Sequence, residues 1–135
     1  MSETNCLFCG IVAGSIPATR VAETERAIAF MDINPATAGH LLVIPRAHST
    51  DLREAGAEDL TAATLLAQSL VSRVIERLDA DGANLLSCIG EAAWQSVFHT
   101  HLHVIPRYQD DPLQLPWHPT PGDMDQIQAT AAKLV

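Results

Sequence analysis

The hydrophobic pattern of this chain runs from short apolar stretches into a helical period near residue 58 and back again near residue 83. Ala27 to Ile33 (Ala-Ile-Ala-Phe-Met-Asp-Ile) and His40 to Pro45 (His-Leu-Leu-Val-Ile-Pro) read as strands. Asn34-Pro-Ala-Thr-Ala-Gly39 between them has the composition of a turn, so the pair reads as a hairpin. Leu60, Ala63, Ala67, Leu70, Val71, Val74 and Leu78 then recur every three or four positions, with Gln68, Arg73, Glu76 and Arg77 on the other side. That spacing predicts one long amphipathic helix over residues 58–80, stopped by Asp81-Gly82. Ala83 to Ile89 reads as a strand, and Gly90 to Gln95 as a loop leading into a further strand. Cys6 to Ala13 predicts one or two helical turns ending at Gly14, and Arg20 to Glu25 a short strand. After Arg107 the chain is proline-rich (Pro112, Pro116, Pro119, Pro121), and a last helix is expected over residues 123–134. This order predicts an α+β fold, a mainly antiparallel sheet with helices against it. With no internal repeat or linker, residues 1–135 read as a single domain.

Composition narrows the function. The chain is 47% hydrophobic and 18% charged, which suits a globular core. Its net charge of -8, with Lys133 the single lysine, argues against binding a nucleic acid polymer. A small anionic substrate stays compatible, because a local nest of N–H donors and imidazoles can hold phosphate on an acidic protein. No apolar run approaches the roughly 20 residues of a membrane span. The N-terminus lacks the pattern of a signal peptide, so a cytoplasmic location is expected. Cys6, Cys9 and Cys88 are odd in number and do not suggest a disulfide framework.

The chemistry concentrates in Ser96-Val-Phe-His-Thr-His-Leu-His-Val-Ile-Pro-Arg107. His99, His101 and His103 alternate with β-forming residues, so on a strand all three imidazoles project from one face. Such a row suits either a metal cage or a catalytic row in which a neutral imidazole attacks phosphorus, and spacing alone leaves both open. Gln95 and Ser96 beside the row supply donors suited to a phosphoryl group. Cys6-Leu-Phe-Cys9 is a lone C-x-x-C, ambiguous between metal and redox use. A closed zinc site would need two further ligands, with His40, His48, His118 and the row as candidates. Asp32, at a strand end, reads either as a turn acceptor or as a ribose ligand. His40 and His118 are isolated and read as structural or exposed; Cys88 reads as a buried apolar residue on a strand.

His99-Thr-His101-Leu-His103-Val-Ile resembles the His-x-His-x-His-x-x signature of the histidine triad (HIT) superfamily. Cys6-Leu-Phe-Cys-Gly-Ile-Val-Ala-Gly-Ser-Ile-Pro17 is similar to the N-terminal segment of that family. Phe30-Met-Asp-Ile-Asn-Pro35 and Gly39-His-Leu-Leu-Val-Ile-Pro-Arg-Ala-His48 are similar to its hairpin, and Gln95-Ser-Val-Phe-His99 to its lead-in. The resemblance covers residues 6–108, leaving 109–135 as a less constrained C-terminal tail. It implies a five-stranded antiparallel sheet with one long helix and short terminal helices, paired in a homodimer into a ten-stranded sheet. It also implies a hydrolase or transferase acting on a purine nucleotide. Such an enzyme cleaves at the α-phosphate of a nucleoside phosphoramidate or dinucleoside polyphosphate.

The resemblance assigns roles residue by residue. His101 matches the nucleophile, which forms a nucleotidyl-imidazole intermediate. His103 matches the histidine that contacts phosphate, and His99 the first of the triad. Gln95 and Ser96 match positions bonding phosphate oxygens and leaving group, and Asp32 the ribose-binding acid. Phe8, Ile11, Ile16 and Ile33 match apolar positions around the base. Cys6, Cys9, His48 and His99 match the ligands of a structural zinc, with no organic cofactor implied. Two positions depart from the pattern: Cys88 stands where the family has asparagine, and Trp94 where it has glycine. They leave a second expectation, a nucleotide-binding regulatory module with little catalysis. A third is a catalytic metal held by all three triad histidines.

Overall fold

The computed structural model describes residues 5–135. Its elements in chain order are α1 (Leu7–Ala13), β1 (Arg20–Glu23), β2 (Ala27–Met31), β3 (Leu41–Pro45), α2 (Ala57–Leu78), β4 (Gly82–Leu86), β5 (Leu102–Arg107) and α3 (Met124–Ala132), with a 3₁₀ turn at Glu91–Ala93. The five strands form one sheet in the order β1-β2-β3-β5-β4, and every neighbouring pair is antiparallel.

The period-two geometry of strands divides β2 and β3 between two cores. Ala27, Ala29, Leu41 and Val43 face one way and meet Ala63, Leu66, Ala67, Leu70 and Val74 of α2, joined by Leu102 and Val104 of β5. Ile28, Phe30, Leu42 and Ile44 face the other way and meet Phe8 and Ile11 of α1. Both strands are apolar throughout because both their faces are covered. Across the β3–β5 ladder His103 pairs with Leu42, so it lies on the α1 face, opposite the long helix. Acidic Glu58 and Asp59 in the first turn of α2 and Arg77 in its last complement the helix dipole.

The hairpin between β2 and β3 is drawn onto the end of β5. Gly39 has φ of 93°, and a Cβ there would collide with the Leu78 side chain. Glycine is the residue that meets both demands. Thr37 Oγ1 donates to Pro106 O at 2.6 Å and the Tyr108 hydroxyl to Ala38 O at 2.7 Å.

Three expectations need correction. The row of histidines is not one continuous strand: β5 begins at Leu102, because the Thr100 N–H bonds Ser49 O at 2.8 Å instead of a ladder partner. The strand expected to reach Ile89 stops at Leu86, and the Ser87 hydroxyl turns in to bond His101 O at 2.7 Å. Cys88 is buried, as expected, but lies beyond that strand. The segment also reads as apolar for a different reason than burial, since Leu85 and Leu86 are exposed on the free edge of the sheet. Helix α3 has no buried residue. Among the described residues no helix is long and apolar enough to cross a membrane.

Candidate functional site

Two clusters meet at His99. In the first, Cys6 caps α1, and its Sγ accepts the Cys9 N–H at 3.3 Å. His99 is fully buried and donates Nε2–H to Pro45 O at 2.8 Å. That bond assigns the lone pair to Nδ1, which lies 3.4 Å from Cys6 Sγ and 3.5 Å from Cys9 Sγ. His48, just past β3, brings its Nδ1 to 3.4 Å from Cys9 Sγ. All four ligand atoms fall within 4.8 Å of one another. Zinc bonds of about 2.3 Å to sulfur and about 2.0–2.1 Å to nitrogen at tetrahedral angles set S and N about 3.5 Å apart. The cluster therefore fits a closed Cys₂His₂ metal site. The Pro45 carbonyl behind His99 is the kind of outer partner such sites use to orient a ligand.

In the second cluster, the His99 carbonyl oxygen lies 2.6 Å from His101 Nδ1. A carbonyl only accepts, so His101 carries its proton on Nδ1 and its lone pair on Nε2. The His101 ring is buried edge-on against Phe8, with centroids 5.1 Å apart. Its Nε2 has no protein hydrogen-bond partner among the described residues, yet no buried side-chain nitrogen or oxygen there lacks one, so Nε2 opens to solvent. Burial, opposed by the His99 carbonyl and the Asp32 charge, holds His101 below the usual histidine range. Burial also pushes His99 and His103 down to about 4, with neighbouring imidazoles adding to the effect. The row is neutral near pH 7.

His40, read from sequence as isolated, is in fact buried and part of this network. Its Nδ1 accepts the Ala36 N–H at 3.0 Å, so its proton sits on Nε2. That Nε2–H faces His103 Nδ1 at 3.0 Å and Asp32 Oδ2 at 3.4 Å. His103 thus accepts on Nδ1 and carries its own proton on Nε2. A backbone N–H, two imidazoles and their tautomers form one chain, ending in an N–H donor beside the His101 lone pair (ring centroids 4.9 Å apart). Asp32, His40 and His103 also cluster tightly enough for a metal. Metal binding at His40 Nε2 would leave Nδ1 protonated and facing the Ala36 N–H, so the geometry describes a hydrogen-bond relay instead. His40 was findable in principle: it lies two residues before Leu42 on β3, the residue facing His103.

A scan against family models matches the HIT domain over residues 13–110. The chain belongs to the HIT family. Adenosine 5'-monophosphoramidase hnt1 of Schizosaccharomyces pombe is 35% identical over 131 residues, covering 96% of each chain. Among solved structures, SMU.412c of Streptococcus mutans superposes with a TM-score of 0.92 at 34% identity, over 98% of this chain and 85% of that one. A zinc-bound histidine triad family protein of Mycobacterium smegmatis has a TM-score of 0.78 at 38% identity, over 96% of this chain and 95% of that one.

The remaining expected positions of this HIT chain separate into inner and outer groups. Phe8 and Ile11 are core residues with Ile16 packed on them, whereas Ile33 is 89% exposed. Asp32 keeps its turn role, Oδ1 accepting the Asn34 N–H at 2.8 Å, while Oδ2 faces the relay. Ser96 is exposed. Gln95, expected to bond phosphate, is buried and turned inward: Oε1 accepts the Gly90 N–H at 2.8 Å, and Nε2 donates to Thr50 O at 2.8 Å and Val97 O at 3.2 Å. Its amide braces the loop that carries Ser96. Trp94 holds a left-handed φ of 74° with its ring exposed. His118 lies on the exposed tail.

Proposed function

We propose that this HIT protein hydrolyses or transfers nucleotides, cleaving at the α-phosphate of a nucleoside phosphoramidate or dinucleoside polyphosphate. The observation that carries this reading is the His101 tautomer: Nδ1–H on the His99 carbonyl leaves a solvent-facing lone pair on Nε2 in a neutral ring. His101 Nε2 attacks phosphorus, forming a P–N bond as the bond to the leaving group breaks. His103 Nε2–H, oriented through His40, donates to the phosphoryl oxygen or departing group. Water then attacks the nucleotidyl-imidazole, the P–N bond breaks, and His101 recovers its lone pair. Asp32 takes the ribose hydroxyls, Ser96 bonds phosphate, and Ile33 covers a purine base with Phe8, Ile11 and Ile16 behind it. The homology to hnt1 supports a phosphoramidate as substrate.

Cys6, Cys9, His48 and His99 would hold a structural zinc, whose chemistry is to anchor His99 and α1 by charge and fixed geometry. A second copy of the chain would pair along β4, the free edge of the sheet, where Leu85 and Leu86 are exposed. Sedimentation equilibrium reads that dimer directly.

A second reading is a nucleotide-binding module with negligible hydrolysis. It is favoured by the commitment of the Gln95 amide to the loop and by Cys88, which offers no amide to a phosphate. Nucleoside monophosphate release from adenosine phosphoramidates and diadenosine polyphosphates, wild type against His101→Ala, separates the readings. Release that vanishes in the variant supports the hydrolase; tight binding of monophosphate without release by wild type supports the module.

A further inference from the structure

The metal cluster is not sealed. Cys6 is half-buried and, with His48, lines a surface cleft of about 530 Å³ that also includes Ser96 and Phe98. Cys9 is buried behind it, and the two sulfurs lie within 4.8 Å. The cluster thus has one sulfur a small solute can reach and a second placed to answer it. Its third member, His99, also carries the carbonyl that fixes the His101 tautomer.

We propose that Cys6 and Cys9 form a peroxide-sensitive dithiol whose oxidation to a disulfide expels the metal and loosens His99. This inference rests on the zinc and hydrolase reading of the site. The Cys6 thiolate attacks the O–O bond of hydrogen peroxide, giving a sulfenic acid and hydroxide. The Cys9 thiolate then attacks the Cys6 sulfur, forming the S–S bond and releasing a second hydroxide. Two thiolates lose two electrons, peroxide gains them, and two protons from solvent complete two waters. With both sulfurs bonded to each other, only His48 and His99 would remain to hold a metal, too few for a closed site, and the ion would be released. His99 keeps its bond to Pro45 O. The site therefore slackens without collapsing, and turnover falls about tenfold, the lower end of what losing an outer support costs.

The test uses the zinc-loaded full chain, treated with hydrogen peroxide. Zinc release is followed with a colorimetric chelator, and thiols are mapped by alkylation under denaturing conditions and peptide mass. The expected result is about one zinc released per chain. A Cys6–Cys9 peptide about 2 Da lighter should accompany it, with Cys88 still alkylated. Thiol reductant plus zinc should restore the starting state and the lost turnover. Retained zinc with both thiols alkylated overturns the proposal, and so does zinc loss with Cys6 carried to sulfinic acid unpaired. If the untreated protein cleaves no nucleotide, the hydrolase reading fails alone, because zinc release and disulfide mapping still decide the switch.

Discussion

The carbonyl oxygen of His99 sits 2.6 Å from Nδ1 of His101, while the ring of the same His99 turns its Nδ1 to the sulfurs of Cys6 and Cys9. One residue thereby ties the candidate metal cluster to the candidate nucleophile, through its side chain on one side and its backbone on the other. The candidate metal ligands and the candidate nucleophile are adjacent here, and His101 is not among the four ligands.

That separation predicts how chelation behaves. Stripping zinc should lower Tm by several degrees, since metal bound only in the fold adds its binding energy to stability. Turnover should fall in part rather than vanish. A chelator that abolishes turnover at once, with Tm unchanged, would indicate a catalytic metal on the triad.

His40 should act as a positioning residue. His40→Ala removes the donor that sets the His103 tautomer, and kcat should drop by about tenfold or more with KM little changed. His40→Asn, which can accept from Ala36 and donate to His103, should recover part of the loss. Equal kcat for all three proteins in steady-state assays would remove His40 from the relay.

Burial depresses His103 to about 4 and also lowers His40. Their unfolded pKa is about 6.5, so the unfolded chain binds protons first as pH falls. The neutral pair contributes its full stability above about pH 6.5. That contribution is lost progressively as pH drops toward 4. Melting curves across this window should show Tm falling with pH, and a shallower slope in His103→Asn. Parallel slopes in the two proteins would contradict the assignment.

Much of this was legible because local periodicity reports burial. The helical spacing from Leu60 to Leu78 placed α2 within two residues of its observed ends, and the apolar runs at Ala27 and His40 marked two central strands. What the chain concealed were contacts set by tertiary geometry. His40 looked isolated because its partner lies 63 residues away across the ladder. Gln95 looked like a ligand donor because nothing local reveals that its amide bonds Thr50, 45 positions earlier. The apolar run from Ala83 marked β4 but not the exposure of Leu85 and Leu86, because an edge strand can carry the same apolar residues as a core strand.

The central claim is that His101 Nε2 attacks phosphorus, and the most direct measurement is to catch the product of that attack. The protein would be mixed with an adenosine phosphoramidate, quenched in alkaline denaturant within the first turnovers, digested, and its peptides weighed. An adenylyl group on His101, absent in His101→Ala, is the predicted result. Turnover with the label on another residue, or with no adduct and inversion at phosphorus, would contradict it.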